Sequence, residues 1–134
     1  MPKTVNETET VLICSRMDEQ VSRHFRAKEF ACKDGCEFVL ISKILVQVLE
    51  GLRQKIDEEI YINSGFRTPG HNKAVGGAHL SYHQYGMAAD IRAKTRTPAE
   101  LYKLLNEMMK GWGGLELHQN FVHVDVRMKE WRKK

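Results

Sequence analysis

The chain has 134 residues, of which 42% are hydrophobic and 28% charged, and carries a net charge of +4. That length suits one domain with its own apolar core, and that balance excludes disordered and fibrous classes. No apolar run reaches the roughly eighteen residues that cross a bilayer, and no aromatic-interleaved basic stripe or nucleic-acid module is present, so neither a membrane span nor a nucleic-acid partner is expected.

The start, Met1 to Thr10, is polar and lacks the basic-then-apolar order of a secretory signal. It reads as a flexible lead, and the chain is expected to be cytoplasmic as synthesised. Val11–Cys14 reads as a short strand or buried segment. The three cysteines are Cys14, Cys32 and Cys36, an odd count that argues against a disulfide framework. Cys32-Lys-Asp-Gly-Cys36 has knuckle-like spacing, but no second Cys/His pair lies close by, so a reduced turn is favoured over a metal site.

Ile44, Leu45, Val48, Leu49 and Leu52 recur at helical spacing, which predicts a helix over Ser42–Ile56 with Ser42 as its N-cap. Ile60-Tyr-Ile62 is a strand candidate. From Gly65 to Gly86 the chain is rich in Gly, Pro, His and Asn and aperiodic; it reads as a long irregular connection, uncommon unless it has a job. Met87–Arg92 suits a central strand. Thr97-Pro98-Ala-Glu100 predicts a helix start, with Leu101, Leu104, Leu105 and Met108 facing inward and Gly111 closing the helix after Lys110. Trp112–Leu117 and Phe121–Arg127 read as a hairpin around His118-Gln-Asn120, and residues 128–134 as a solvated basic tail. Strands and helices mix without regular βαβ alternation, which predicts a single α+β domain.

Five of the six histidines (His71, His79, His83, His118 and His123, with His24 apart) lie in the second half of the chain. His83 and Asp90 cannot meet on one extended strand. They converge if His83 sits on a loop that Gly86 turns into the strand bearing Asp90, with Ala88 and Ala89 keeping that strand slim. Phe121-Val-His123-Val-Asp125-Val-Arg127 alternates strictly, which sends His123, Asp125 and Arg127 to one face and the valines to the other. Two histidines and a carboxylate make a common catalytic zinc set that leaves a position for water. The competing reading is histidines satisfied structurally.

Ser64-Gly-Phe-Arg67-Thr-Pro-Gly-His71-Asn72, Val75-Gly-Gly77, Ser81-x-His83-x-x-Gly86-x-Ala88-x-Asp90 and Phe121-Val-His123-Val-Asp125 together resemble the M15 peptidases. These are zinc D-Ala-D-Ala carboxypeptidases and related wall endopeptidases, with a fold shared by hedgehog signalling domains. The likeness runs in order from Ile60 to Arg127, and Phe25-x-x-x-Glu29-Phe-Ala-Cys32 resembles a subgroup's N-terminal part. It implies a small, mostly antiparallel sheet with flanking helices and one zinc ion on His83, Asp90 and His123. Arg67 would face the scissile carbonyl, where a fixed cation stabilises the developing oxyanion. The implied partner is the stem peptide of peptidoglycan; a monomer is expected, and the polar start suits a protein that reaches the wall by release, such as a phage endolysin or virion-borne wall hydrolase.

One position departs from the resemblance. Many relatives carry an acidic general base three residues before the last histidine; here Asn120 stands there, and an amide takes no proton from water at neutral pH. Glu116 and Asp125 are the candidate replacements. Asp125 shares a face with His123, where it could touch the water or orient the ligand. Glu116 reaches the His123 face if the hairpin loop has two or four residues and turns away if it has three. Glu116 is favoured as base and Asp125 as orienting group. His79 and His118 are candidate substrate-binding residues; Ser81, also placed by the site, is expected chiefly to orient its loop, and His71 and Asn72 to fix theirs. The alternative is a binding module that keeps the fold and the metal without turnover.

Overall fold

The computed structural model describes residues 11–79 and 81–134, so the polar lead over residues 1–10 lies outside the described residues. The strands are β1 (Val11–Cys14), β2 (Val39–Ser42), β3 (Ile60–Ser64), β4 (Ala88–Ala93), β5 (Gly114–Leu117), β6 (Val122–Asp125) and β7 (Trp131–Lys133). The helices are α1 (Lys43–Ile56), α2 (Pro69–Ala74) and α3 (Pro98–Met108), with short 3-10 helices at Ala27–Phe30 and Tyr82–Tyr85. β1 and β2 form a small antiparallel ribbon, and the other five strands form one sheet in the order β3-β4-β6-β5-β7. All its pairings are antiparallel except β5 with β7. The class is α+β, as the mixed element order predicts.

The two long helices start where their caps dictate. Ser42 Oγ accepts from Leu45 N at 3.3 Å, and Thr97 Oγ1 accepts from Glu100 N at 3.1 Å while Glu100 Oε1 accepts from Thr97 N at 2.9 Å. α1 buries Leu45, Val46, Val48, Leu49, Leu52 and Ile56, and α3 buries Leu101, Tyr102 and Leu105. Each large aliphatic side chain so removed from water contributes roughly 2 kcal/mol. α3 packs on β4, β5 and β6 and also touches α1. Strand alternation therefore sends Ala89, Ile91, Leu115, Val122 and Val124, all fully buried, toward the helices. Asp90, Glu116 and His123 project from the opposite face.

Two segments differ from the sequence expectation. The stretch from Gly65 to Gly86 holds α2 and a 3-10 helix rather than remaining irregular. Thr68 with Pro69 behind it is the same starting device as Thr97 with Pro98, and Thr68 Oγ1 accepts from His71 N at 3.2 Å. Gly86 then adopts φ 70°, a left-handed turn that delivers the chain into β4.

The second difference is at the basic end, which is not a solvated tail. Trp131–Lys133 pairs in parallel with β5. The physical reason is Arg132, whose guanidinium donates to the carbonyls of Met109 at 2.8 Å, Trp112 at 3.1 Å and Gly113 at 2.6 Å. Those carbonyls follow the end of α3, and the cation adds to the backbone bonds that Met109 and Gly113 already accept from Trp112 N and Trp131 N, which holds the strand. No helix among the described residues is long and apolar enough to cross a membrane.

Candidate metal centre

Arg67, His83, Asp90 and His123 come from four separate places in the chain, and the sheet gathers them. Asp90 on β4 faces His123 on β6 as a direct cross-strand partner, and Ser64 of β3 stands on its other side. The register slips between Ile62 and Ser64, so β3 breaks step where it reaches the site. His83 approaches from the 3-10 helix that Ser81 caps, its Oγ accepting from His83 N at 3.2 Å. The His83 carbonyl in turn accepts from Arg67 N at 2.9 Å, which ties the two loops together.

One donor atom each from His83, Asp90 and His123 lies within 4.8 Å of the others. His83 Nε2 is 3.2 Å and His123 Nδ1 3.1 Å from the same Asp90 oxygen, Oδ1. The outward nitrogens are already committed. His83 Nδ1 lies 2.7 Å from the Gly65 carbonyl oxygen, an acceptor, so that nitrogen carries the hydrogen. His123 Nε2 lies 2.8 Å from Asp125 Oδ2. Each ring therefore presents its remaining nitrogen toward Asp90, the arrangement metal-bound imidazoles adopt. A borderline-soft divalent ion with nitrogen and carboxylate ligands fits this donor set.

The electrostatics are strongly coupled. Burial would raise the pKa of Asp90, but hydrogen bonds and charge from His123 and His83 outweigh it and hold the carboxyl well below its usual range. Burial would likewise lower His123, yet Asp125 and Asp90 raise it to about 9. Asp125 is 0% exposed, and burial acts to raise it; Arg127 and His123 overcome this and keep it ionised. Arg127 grips it with Nε on Oδ1 and NH2 on Oδ2, both at 2.8 Å.

The chain belongs to the M15 peptidase family. The family described as Peptidase M15 matches residues 21–125, which span the site and both strands that carry it. No curated protein matches the chain. M15 peptidases are zinc metallopeptidases, and the His/Asp/His group is the M15 peptidase's one set of clustered candidate ligands among the described residues.

The remaining sequence candidates of this M15 peptidase fall in different places. Arg67 is held by three groups: Ser64 Oγ at 3.0 Å, Asn72 Oδ1 at 3.2 Å and Asp90 Oδ2 at 3.3 Å. Asn72 is buried and also donates to the Ala78 carbonyl at 2.7 Å. The hairpin loop has the length that turns Glu116 toward His123, its direct partner in the ladder. Glu116 Oε2 lies 3.5 Å from His118 Nε2 and 3.8 Å from Lys133 Nζ. The His118 ring stacks on Phe121 at 4.2 Å. His79 is exposed, with its carbonyl accepting from Gln84, and Asn120 is exposed at the hairpin tip.

Asp125 does not stand where it could meet solvent as a base. Both its oxygens are taken by Arg127 and His123, which supports the orienting part of the two weighed for it. Two residues with an evident part were not singled out from sequence. Ser64 was read only within the motif, and its hydroxyl anchors Arg67. Arg127 was placed on the right face, but nothing in the alternation reveals a two-pronged grip on its neighbour.

Proposed function

We propose that this M15 peptidase binds one zinc ion through His83, Asp90 and His123 and hydrolyses peptide bonds in bacterial peptidoglycan, as a carboxypeptidase or endopeptidase on stem peptides. The observation that supports the reading is convergence: His83 Nε2 and His123 Nδ1 meet at Asp90 Oδ1, while the other nitrogen of each ring is hydrogen-bonded outward.

Zinc held by His83, Asp90 and His123 would supply a Lewis acid able to activate water at neutral pH. The side chains do the rest. Arg67 presents a guanidinium fixed by Ser64 and Asn72, suited to orient a scissile carbonyl and stabilise its oxyanion. Glu116 takes the proton of the attacking water and returns it to the leaving amine. Asp125 keeps His123 facing inward, and Ser81 keeps the His83 loop in place. His118 beside Glu116 is suited to bind a substrate carboxylate.

The test is mass spectrometry of fragments released from defined peptidoglycans and D-Ala-containing peptides by protein loaded with one equivalent of zinc. Release that His83→Ala abolishes is the expected result. Untouched substrates across wall types would refute hydrolysis. A non-catalytic binding module is the second reading, favoured by Asn120 in the usual base position. It predicts peptide binding by the wild type with turnover in no variant.

A further inference from the structure

We infer that Arg127, clasped between the rings of Tyr82 and Trp131, is a positioning residue that sets the metal centre through Asp125 and His123. This rests on the zinc reading above and extends it to a residue outside the ligand set. The Arg127 guanidinium lies 4.7 Å from the Tyr82 ring centroid and 4.5 Å from that of Trp131. Placed over both rings, it offers a fork of donors. Nε and NH2 each reach one Asp125 oxygen at 2.8 Å, and Arg127 N adds a third donor to Oδ1 at 3.2 Å. The one other hydrogen-bond partner of that carboxylate among the described residues is His123 Nε2, at 2.8 Å from Oδ2.

The partners of this arginine come from both sides of the site. Tyr82 adjoins His83 in the 3-10 helix, whereas Trp131 lies on β7, beyond the strand that carries His123. One side chain thus braces the segment bearing the first ligand against the strand bearing the last. Space is reserved for the grip: a Cβ on Gly114 would lie 2.4 Å from Asp125 Oδ2 and 2.7 Å from Arg127 Nε.

Stability alone does not call for this arrangement, because apolar side chains of similar volume can replace a buried ion pair without loss. What they cannot do is hold an imidazole with its Nε2 hydrogen engaged and its Nδ1 turned inward. A lysine keeps the charge but is a point donor that neither forks nor stacks, so it cannot substitute.

The experiment is zinc affinity of the full chain, measured by competition with a chromophoric chelator and accompanied by the visible spectrum of the cobalt-substituted protein. Arg127→Lys is expected to weaken zinc binding about 10- to 100-fold and to alter the cobalt bands. In an Asp125→Asn background the same change should cost less than about threefold, because the path through Asp125 is already cut. Trp131→Phe should resemble wild type, and Trp131→Ala should lose affinity. Wild-type affinity in Arg127→Lys, or equal losses in both backgrounds, would overturn the inference. Should Arg127→Lys fail to fold, the Trp131 pair decides, and full affinity in Trp131→Ala overturns it. Failure of the wild type to bind zinc would instead refute the metal reading itself.

Discussion

Glu116 stands directly opposite His123 in the β5–β6 ladder, and the row containing them crosses the whole sheet. Ser64, Asp90, His123, Glu116 and Lys133 are successive partners from β3 to β7. Facing positions on neighbouring strands share a side of the sheet. One row therefore holds an Arg67 anchor, two candidate ligands, the candidate base and a cation, while the rows on the reverse side are aliphatic from β4 to β5.

Glu116→Gln tests the base. The amide keeps the shape and the neighbours, His118 and Lys133, but accepts no proton. Turnover should fall by about 10²–10⁴-fold with zinc content unchanged, as metal analysis and single-turnover rates will read. Undiminished turnover would return the role to another group.

Arg67→Lys separates charge from geometry. A lysine cannot donate at once to Ser64, Asn72 and Asp90, so its cation is not held in place. The expected loss is about 10²–10³-fold in kcat with a smaller change in KM and retained zinc. A loss confined to KM would assign Arg67 to substrate binding alone.

Gly114→Ala tests the room made for Asp125. The added carbon would sit 2.4 and 2.6 Å from the two carboxylate oxygens, a contact that must push Asp125 away. Thermal unfolding should report about 1–3 kcal/mol lost, and chelator competition a weaker metal site. Wild-type values for both would mean that β5 yields more than its buried setting suggests.

Glu50 gives the pH dependence. Its carboxylate accepts from Ser22 Oγ at 2.7 Å and His24 N at 2.9 Å and pairs with the His24 ring. Burial acts to raise its pKa, but these hydrogen bonds prevail and lower it from 4.5 to about 2. A depressed carboxyl stabilises the fold above its unfolded pKa, and the contribution disappears as pH falls through the folded one. Glu50→Gln should therefore destabilise the fold at neutral pH, by about 1 kcal/mol once solvent screening is allowed for, with the gap from wild type closing between pH 4.5 and 2. Parallel denaturant titrations across that range will read it, and a constant gap would exclude the linkage.

Local chemistry settled a great deal of this protein from sequence alone. Thr97-Pro98-Ala-Glu100 starts α3 and Ser42 caps α1 because a cap needs only its own turn, and the alternation through His123 places valines inward because a strand has period two. Local chemistry left His83, Asp90 and His123 between a zinc set and structural histidines, and the resemblance to M15 motifs in fixed order made them a set. Local reading failed at Trp131–Lys133, where a basic run reads as solvated until Arg132 finds the carbonyls after α3. Three-dimensional packing alone decided the Glu116 side of the hairpin, the burial of Asp125 and the two rings around Arg127. Each depends on register or on contact between residues distant in the chain, and no periodicity within a single segment encodes such a meeting.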